Sequence, residues 1–155
     1  MAPPPVDLGP VHSWRSPRRF KESPLSARLA TSTSANTTND IRVLAIAAAR
    51  AADDRKATEV LVLDVGDTLS ITDAFVIASA PNTRLVATIT EAVEEAVKAA
   101  GGPGPISIEG LSEASWVLLD FGGFVVHVFL EETRRYYDLE RLFADAPTID
   151  WAPTS

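Results

Sequence analysis

Apolar positions recur along this chain in two rhythms, one of about three to four residues and one of two, and the switches between them predict its elements. Ile41, Leu44, Ala45, Ala48 and Ala52 recur at helical spacing behind Asn39 or Asp40, either of which can cap a helix that ends in the polar stretch "DDRKAT". The runs "EVLVLDV" and "DAFVIASA" read as two strands. Pro81-Asn82 opens a long helix whose apolar stripe is Leu85, Val86, Ile89, Val93, Ala96 and Val97, and Gly101-Gly102-Pro103 stops it. A short strand, "ISIEG", precedes the hairpin "SWVLLDFGGFVVHVF". The segment "EETRRYYDLERLFADAP" then carries Tyr136, Leu139, Leu142 and Phe143 at the spacing of one helix, with Pro147 ending the ordered part. Helix, two strands, helix, three strands, helix is the order of an α/β domain with a mixed sheet of about five strands.

The hairpin says most. If Gly122 and Gly123 are the two loop residues, the primed turn their freedom allows pairs Phe121 with Phe124, Asp120 with Val125, Leu118 with His127 and Trp116 with Phe129. Side chains alternate across a sheet, so Val117, Leu119, Phe121, Phe124, Val126 and Val128 share a wholly apolar face that helices must cover. Trp116, Leu118, Asp120, Val125, His127 and Phe129 share the other. That mixture suits a face left partly open to meet a partner.

Composition narrows the classes. At 155 residues, 46% apolar and 23% charged, one ordinary soluble domain is expected. The absence of cysteine excludes disulfides, thiolate zinc sites and thiol catalysis, and the apolar runs fall far short of the roughly 20 residues a membrane helix needs. Charge is uneven. Residues 1–39 hold five basic residues against two acidic ones, a net of +3, whereas residues 40–155 hold nine against nineteen, a net of −10. An acidic body argues against DNA or other phosphate-tracking grooves and favours a protein partner of basic character. Residues 1–39, rich in Pro, Ser and Thr, are expected to be a disordered leader, residues 40–147 the domain and residues 148–155 a flexible tail. Prolines at the leader's density interrupt the amphipathic helix of a transit peptide, which favours bacterial cytoplasm over an organelle.

Candidate chemistry begins at Asp64. "LVLDVGDTLS" resembles the opening motif of the haloacid dehalogenase-like phosphatases, yet the second acid such enzymes place two residues on is Gly66 here, with Asp67 one step late. Asp64, Asp67 and Asp73 do not have the one-residue spacing, nor the preceding Gly-Ser, of a nucleotidyltransferase magnesium site. The plainer reading is a turn at Asp67-Thr68, with Thr72 or Asp73 meeting backbone donors where the second strand starts. His127 has no serine or threonine beside it in the hairpin register, which points to a contact rather than a general base. No catalytic residue, metal site or cofactor is expected.

Three segments, "DVGDTLSITDAFVIASAPNTR", "IEGLSEASWVLLDFGGFVVHVF" and "RRYYDLERLFADAP", carry a resemblance in order and spacing to the ribosomal silencing factor, or Iojap, family, from about Asp40 to Pro147. The resemblance implies a nucleotidyltransferase-like fold without the catalytic acids. It also implies a translational repressor that binds ribosomal protein L fourteen on the large subunit and sterically blocks joining of the small subunit, with organelle relatives that assist large-subunit assembly. Carried over by motif, the contacts are Trp116, Tyr137 and Leu139, and beyond them Pro105, Asp120, His127 and Arg135. Ala74, Ala80, Gly123 and Phe143 depart from residues usual in the family, which bears on affinity and the contact list. The rival readings are an enzyme using Asp64 and Asp67, and a chiefly structural homodimer built on the open sheet face.

Overall fold

The computed structural model describes residues 40–152, so the leader expected over residues 1–39 lies outside the described residues. Helix α1 (residues 40–54) leads into β1 (Thr58–Asp64) and β2 (Ala74–Ala80). There follow α2 (Thr83–Ala99), β3 (Ser107–Glu109), β4 (Trp116–Asp120), β5 (Phe124–Leu130), α3 (Glu131–Tyr137) and the single turn α4 (Leu139–Leu142). The five strands form one sheet in the order β1-β2-β5-β4-β3. β2 and β5 are parallel and all other neighbours antiparallel, so the sheet is mixed as expected.

Both glycine-marked ends of the sequence pattern behave as the residues dictate. Asn82 caps α2 by accepting from the Leu85 amide at 2.8 Å, and Gly101, at φ +92°, takes the chain out of the helix. In the hairpin, Trp116 pairs with Phe129, Leu118 with His127 and Asp120 with Val125, the predicted register. Only the first turn glycine, Gly122, has positive φ (+90°), the pattern of a type II′ turn. Gly123 is needed for space instead. A Cβ there would stand 2.5 Å from Ile41 of α1, so the helix rests directly on the hairpin turn.

α1 and α2 cover the apolar face. Ala45, Ala48, Ala49 and Ala52 of α1 and Val86, Ile89, Val93 and Val97 of α2 are fully buried with Val62, Val76, Val117, Val126 and Val128 of the sheet. The alanines matter because small side chains let α1 lie close to the strands, giving dense packing without long rotamers to order. Among the described residues no helix is long and apolar enough to cross a membrane.

Two sequence expectations change. Residues 131–143 do not form one helix: Asp138 sits in the left-handed region (φ 49°, ψ 53°), ending α3 and starting α4 at a new angle. Aspartate tolerates that conformation better than most residues, so the break is local chemistry that a helical count passes over. The order also continues past Pro147. The Asp64 amide donates to the Pro147 carbonyl and the Ile149 amide to the Val62 carbonyl, both at 2.8 Å, while Thr148 bridges to Leu63 along the free edge of β1. Ile149 is buried in the core and the Trp151 indole N–H donates to the Val60 carbonyl. In place of the flexible tail expected from residue 148, residues 147–152 therefore shield an edge strand that would otherwise expose its backbone groups.

Gly110 positions β4. Its φ is +84°, and a Cβ there would lie 2.2 Å from the Trp116 carbonyl oxygen, which is backbone and cannot rotate away. Gly110→Ala is expected to lower stability by about 3 kcal/mol, combining left-handed strain with a displaced β4. Equilibrium denaturation checks it; an unchanged midpoint would contradict the account.

Candidate functional site

The sheet face opposite α1 and α2 is lined by aromatic rings in contact from one side to the other. Phe143 meets Phe75 edge-on (centroids 5.1 Å, 77°), and Phe75 meets His127 edge-on (4.6 Å, 72°). Trp116 lies against Phe129 (4.8 Å) and Tyr137 (4.7 Å), and Tyr137 against Tyr136 (5.0 Å, 90°). α3 follows β5 directly, so its residues fold back over the end of the sheet where Trp116 pairs with Phe129. The face expected to be partly open is thus largely closed by the chain's own C-terminal region. Phe75, Ile77, Val125 and Phe129 are buried, and Trp116 and Tyr137 form a half-buried rim.

The phase of α3 decides which tyrosine meets this rim, since successive residues of a helix point about 100° apart. Tyr137 turns onto Trp116, while Tyr136 points outward and is 71% exposed, as is Leu142 at 73%. Leu139, the first residue of α4, stands half-buried beside them in sequence. Trp116 and Tyr137 therefore occupy one end of the sheet. Asp120 stands four residues along β4 from Trp116, about 13 Å away, and Pro105 is at the same far end, since Ser107 pairs with Asp120.

Two other predicted contacts lie beneath the surface. Asp120 is fully buried and its carboxylate accepts from the Gly122 amide at 2.8 Å, which pins the hairpin turn. His127, only 4% exposed, accepts the Trp116 indole N–H on Nδ1 at 3.1 Å. Its Nε2 is buried without a hydrogen-bond partner. Burial pushes the imidazole down to about 3, because the charged ring would lose its hydration.

Acid stability follows from that shift. The unfolded chain takes up this proton below about 6.5, the folded chain only near 3, so between those values unfolding binds a proton and folding is penalised as pH falls. The expected loss approaches about 1.4 kcal/mol per pH unit below 6.5. Asp73 acts oppositely, being raised by partial burial and by neighbouring Asp64, and its effect belongs to the carboxylate range. The slope is therefore read between pH 6.5 and roughly 5. Denaturation midpoints of wild type and His127→Leu across that window check it: the variant's curve should be flat where the wild type's falls.

Arg135 is exposed and its neighbour Arg134 is not. Sequence reasoning missed Arg134, whose Nε and Nη2 donate to Glu140 Oε2 at 3.0 and 2.8 Å and whose Nη1 donates to Ser79 Oγ at 2.9 Å. Ser79 Oγ is 2.8 Å from Thr58 Oγ1, so the arginine ties α3 and α4 to the ends of β2 and β1. Its partner is six residues away across a left-handed break, a spacing no helical pattern flags.

Asp64 accepts from Arg42 Nη2 at 3.0 Å and from the Gly66 amide at 3.1 Å. The Thr68 and Leu69 amides both donate to the Val65 carbonyl, closing the turn that contains Asp67. These acids serve the β1–β2 connection and an ion pair to α1. Among the described residues no group of three or more His, Cys, Asp or Glu side chains is arranged to hold a metal ion.

Comparison with known proteins agrees with the motifs. Residues 38–155 match the family described as "Ribosomal silencing factor during starvation". The chain is 38% identical over 112 residues to the ribosomal silencing factor of Bacillus subtilis, covering 72% of this chain and 93% of that protein. It is 32% identical to the chloroplastic protein Iojap of Zea mays, over 68% of this chain and 46% of that one. It is also 37% identical to the mouse protein named for mitochondrial assembly of the ribosomal large subunit, over 56% of this chain and 39% of that one. A solved Chromobacterium violaceum structure superposes with a TM-score of 0.62 at 31% identity, covering 75% of this chain and 92% of the other.

Proposed function

From the premise that this chain belongs to the ribosomal silencing factor family, we propose that it represses translation by binding the large ribosomal subunit through ribosomal protein L fourteen and blocking the approach of the small subunit. The observation that carries this reading is the rim formed by Trp116 and Tyr137, two large rings in contact at 4.7 Å on a body of net charge −10. Aromatic anchors at the centre of an interface supply most of its binding energy, and the acidic surround favours encounter with a basic ribosomal protein. Half-buried Leu139 and exposed Arg135 flank Tyr137 two residues to either side, while Pro105 sits too far along the sheet to share the centre of the rim. The mechanism is occlusion, with no bond made or broken, and Asp64 keeps a structural role. Its similarity to bacterial relatives in Bacillus and Chromobacterium supports a bacterial cytoplasmic setting for this activity.

Sedimentation of the purified protein with large subunits, with and without small subunits, tests the proposal. Co-migration with large subunits together with reduced joining supports it. Protein that stays at the top of the gradient would refute it. A second copy would compete for the same rim, so binding should rise on dilution if the free protein dimerises.

A further inference from the structure

We infer that His127 is a positioning residue: it holds the Trp116 indole in a single orientation for docking, by taking up the indole N–H on Nδ1 and turning that ring's polar edge inward. The inference rests on the reading of Trp116 as a partner contact and converts His127 from a contact into the group that prepares one.

The first support is geometric. Trp116 and His127 lie on adjacent strands one pair out of register, since His127 faces Leu118 and Trp116 faces Phe129, and the indole crosses that diagonal to reach Nδ1 at 3.1 Å. Phe129 at 4.8 Å and Tyr137 at 4.7 Å pack against the indole, so the hydrogen bond and two ring contacts together leave it little freedom. A ring ordered before binding loses less entropy on docking than a free one. With its only polar atom already satisfied, the indole can be desolvated by a partner without orphaning a donor.

The second support is what this arrangement costs. An Nδ1 that accepts requires the proton on Nε2, and that N–H is buried with no hydrogen-bond partner. For core packing alone, an apolar side chain would serve better, because a buried unmatched donor weakens the fold. Local conflicts of this kind are expected at functional sites. Here the service rendered is to the indole.

The test sets binding against stability. His127→Leu removes both the acceptor and the orphaned donor; His127→Asn offers an amide oxygen in the position of Nδ1 but packs poorly. His127→Leu is expected to be as stable as wild type at neutral pH or more so, yet to bind large subunits roughly tenfold more weakly. His127→Asn is expected to be less stable, yet to bind within about threefold of wild type. The Trp116 indole N–H, followed by NMR hydrogen exchange, should be protected in wild type and in His127→Asn and unprotected in His127→Leu. Binding that follows stability, with Asn weaker than Leu, would overturn the proposal, as would an unprotected indole N–H in wild type. If wild type itself fails to bind large subunits, the ribosomal reading fails, while the exchange measurement still decides whether His127 locks the indole.

Discussion

Trp116→Ala is expected to weaken binding to large ribosomal subunits by about 30-fold to 1000-fold while leaving the domain folded. The indole is half-buried at the rim and not at the centre of the core, so its removal trims the contacts with Phe129 and Tyr137 without emptying the space between sheet and helices. Destabilisation should stay near 1–2 kcal/mol, below what a fully buried aromatic costs. Binding suffers more, because an anchor at an interface loses its own contacts and also lets water reach those around it. Tyr137→Ala should act in the same direction with a smaller effect. As the two rings touch, the double variant should lose less than the product of the single losses. Co-sedimentation of folded variants, with folding checked by thermal unfolding, is the measurement. A folded Trp116→Ala protein that still travels with large subunits would remove this rim from the interface.

Arg134→Ala is expected to lower stability by about 3 kcal/mol. The guanidinium is 6% exposed and makes four hydrogen bonds, two to Glu140 Oε2, one to Ser79 Oγ and one to the Thr58 carbonyl. Truncation leaves the Glu140 carboxylate without its partner in a partly dry place, while Ser79 Oγ keeps its bonds to Thr58. Glu140 remains 31% exposed and can recover some hydration, which puts the effect at the low end of the range for broken buried pairs. For a domain of this size the unfolding temperature should fall on the order of 10 °C. Arg134→Lys should not restore it, because an ammonium cannot reach Glu140 and Ser79 together in the arginine's planar geometry. Since α3 and α4 carry Tyr137 and Leu139, both variants should also bind large subunits more weakly. A melting temperature within 2 °C of wild type would contradict this role.

These two residues show where sequence was informative. Trp116 was legible: two glycines mark the turn, alternation assigns its face, and surrounding motifs place it in a family. Arg134 was not, since its value lies in meeting Ser79, 55 residues away, and Glu140 beyond a helix break. Among the other candidates, alternation put Asp120 and His127 correctly on the second face but could not say how deep that face lies.

Local chemistry in the sequence determined the first two helices, the strands, the hairpin register and the family, because periodicity, caps and turn glycines act over a few residues. Tertiary structure decided which parts of a face meet solvent. The packing of α3 over the sheet end sets Tyr137 on Trp116 and leaves Tyr136 outward, and beyond the left-handed break at Asp138 Phe143 meets Phe75. Residues 147–152 return to the edge of β1 across most of the domain's length. Burial belongs to whatever comes to cover a surface, and here the cover for β1, β2 and β5 arrives from the far end of the chain.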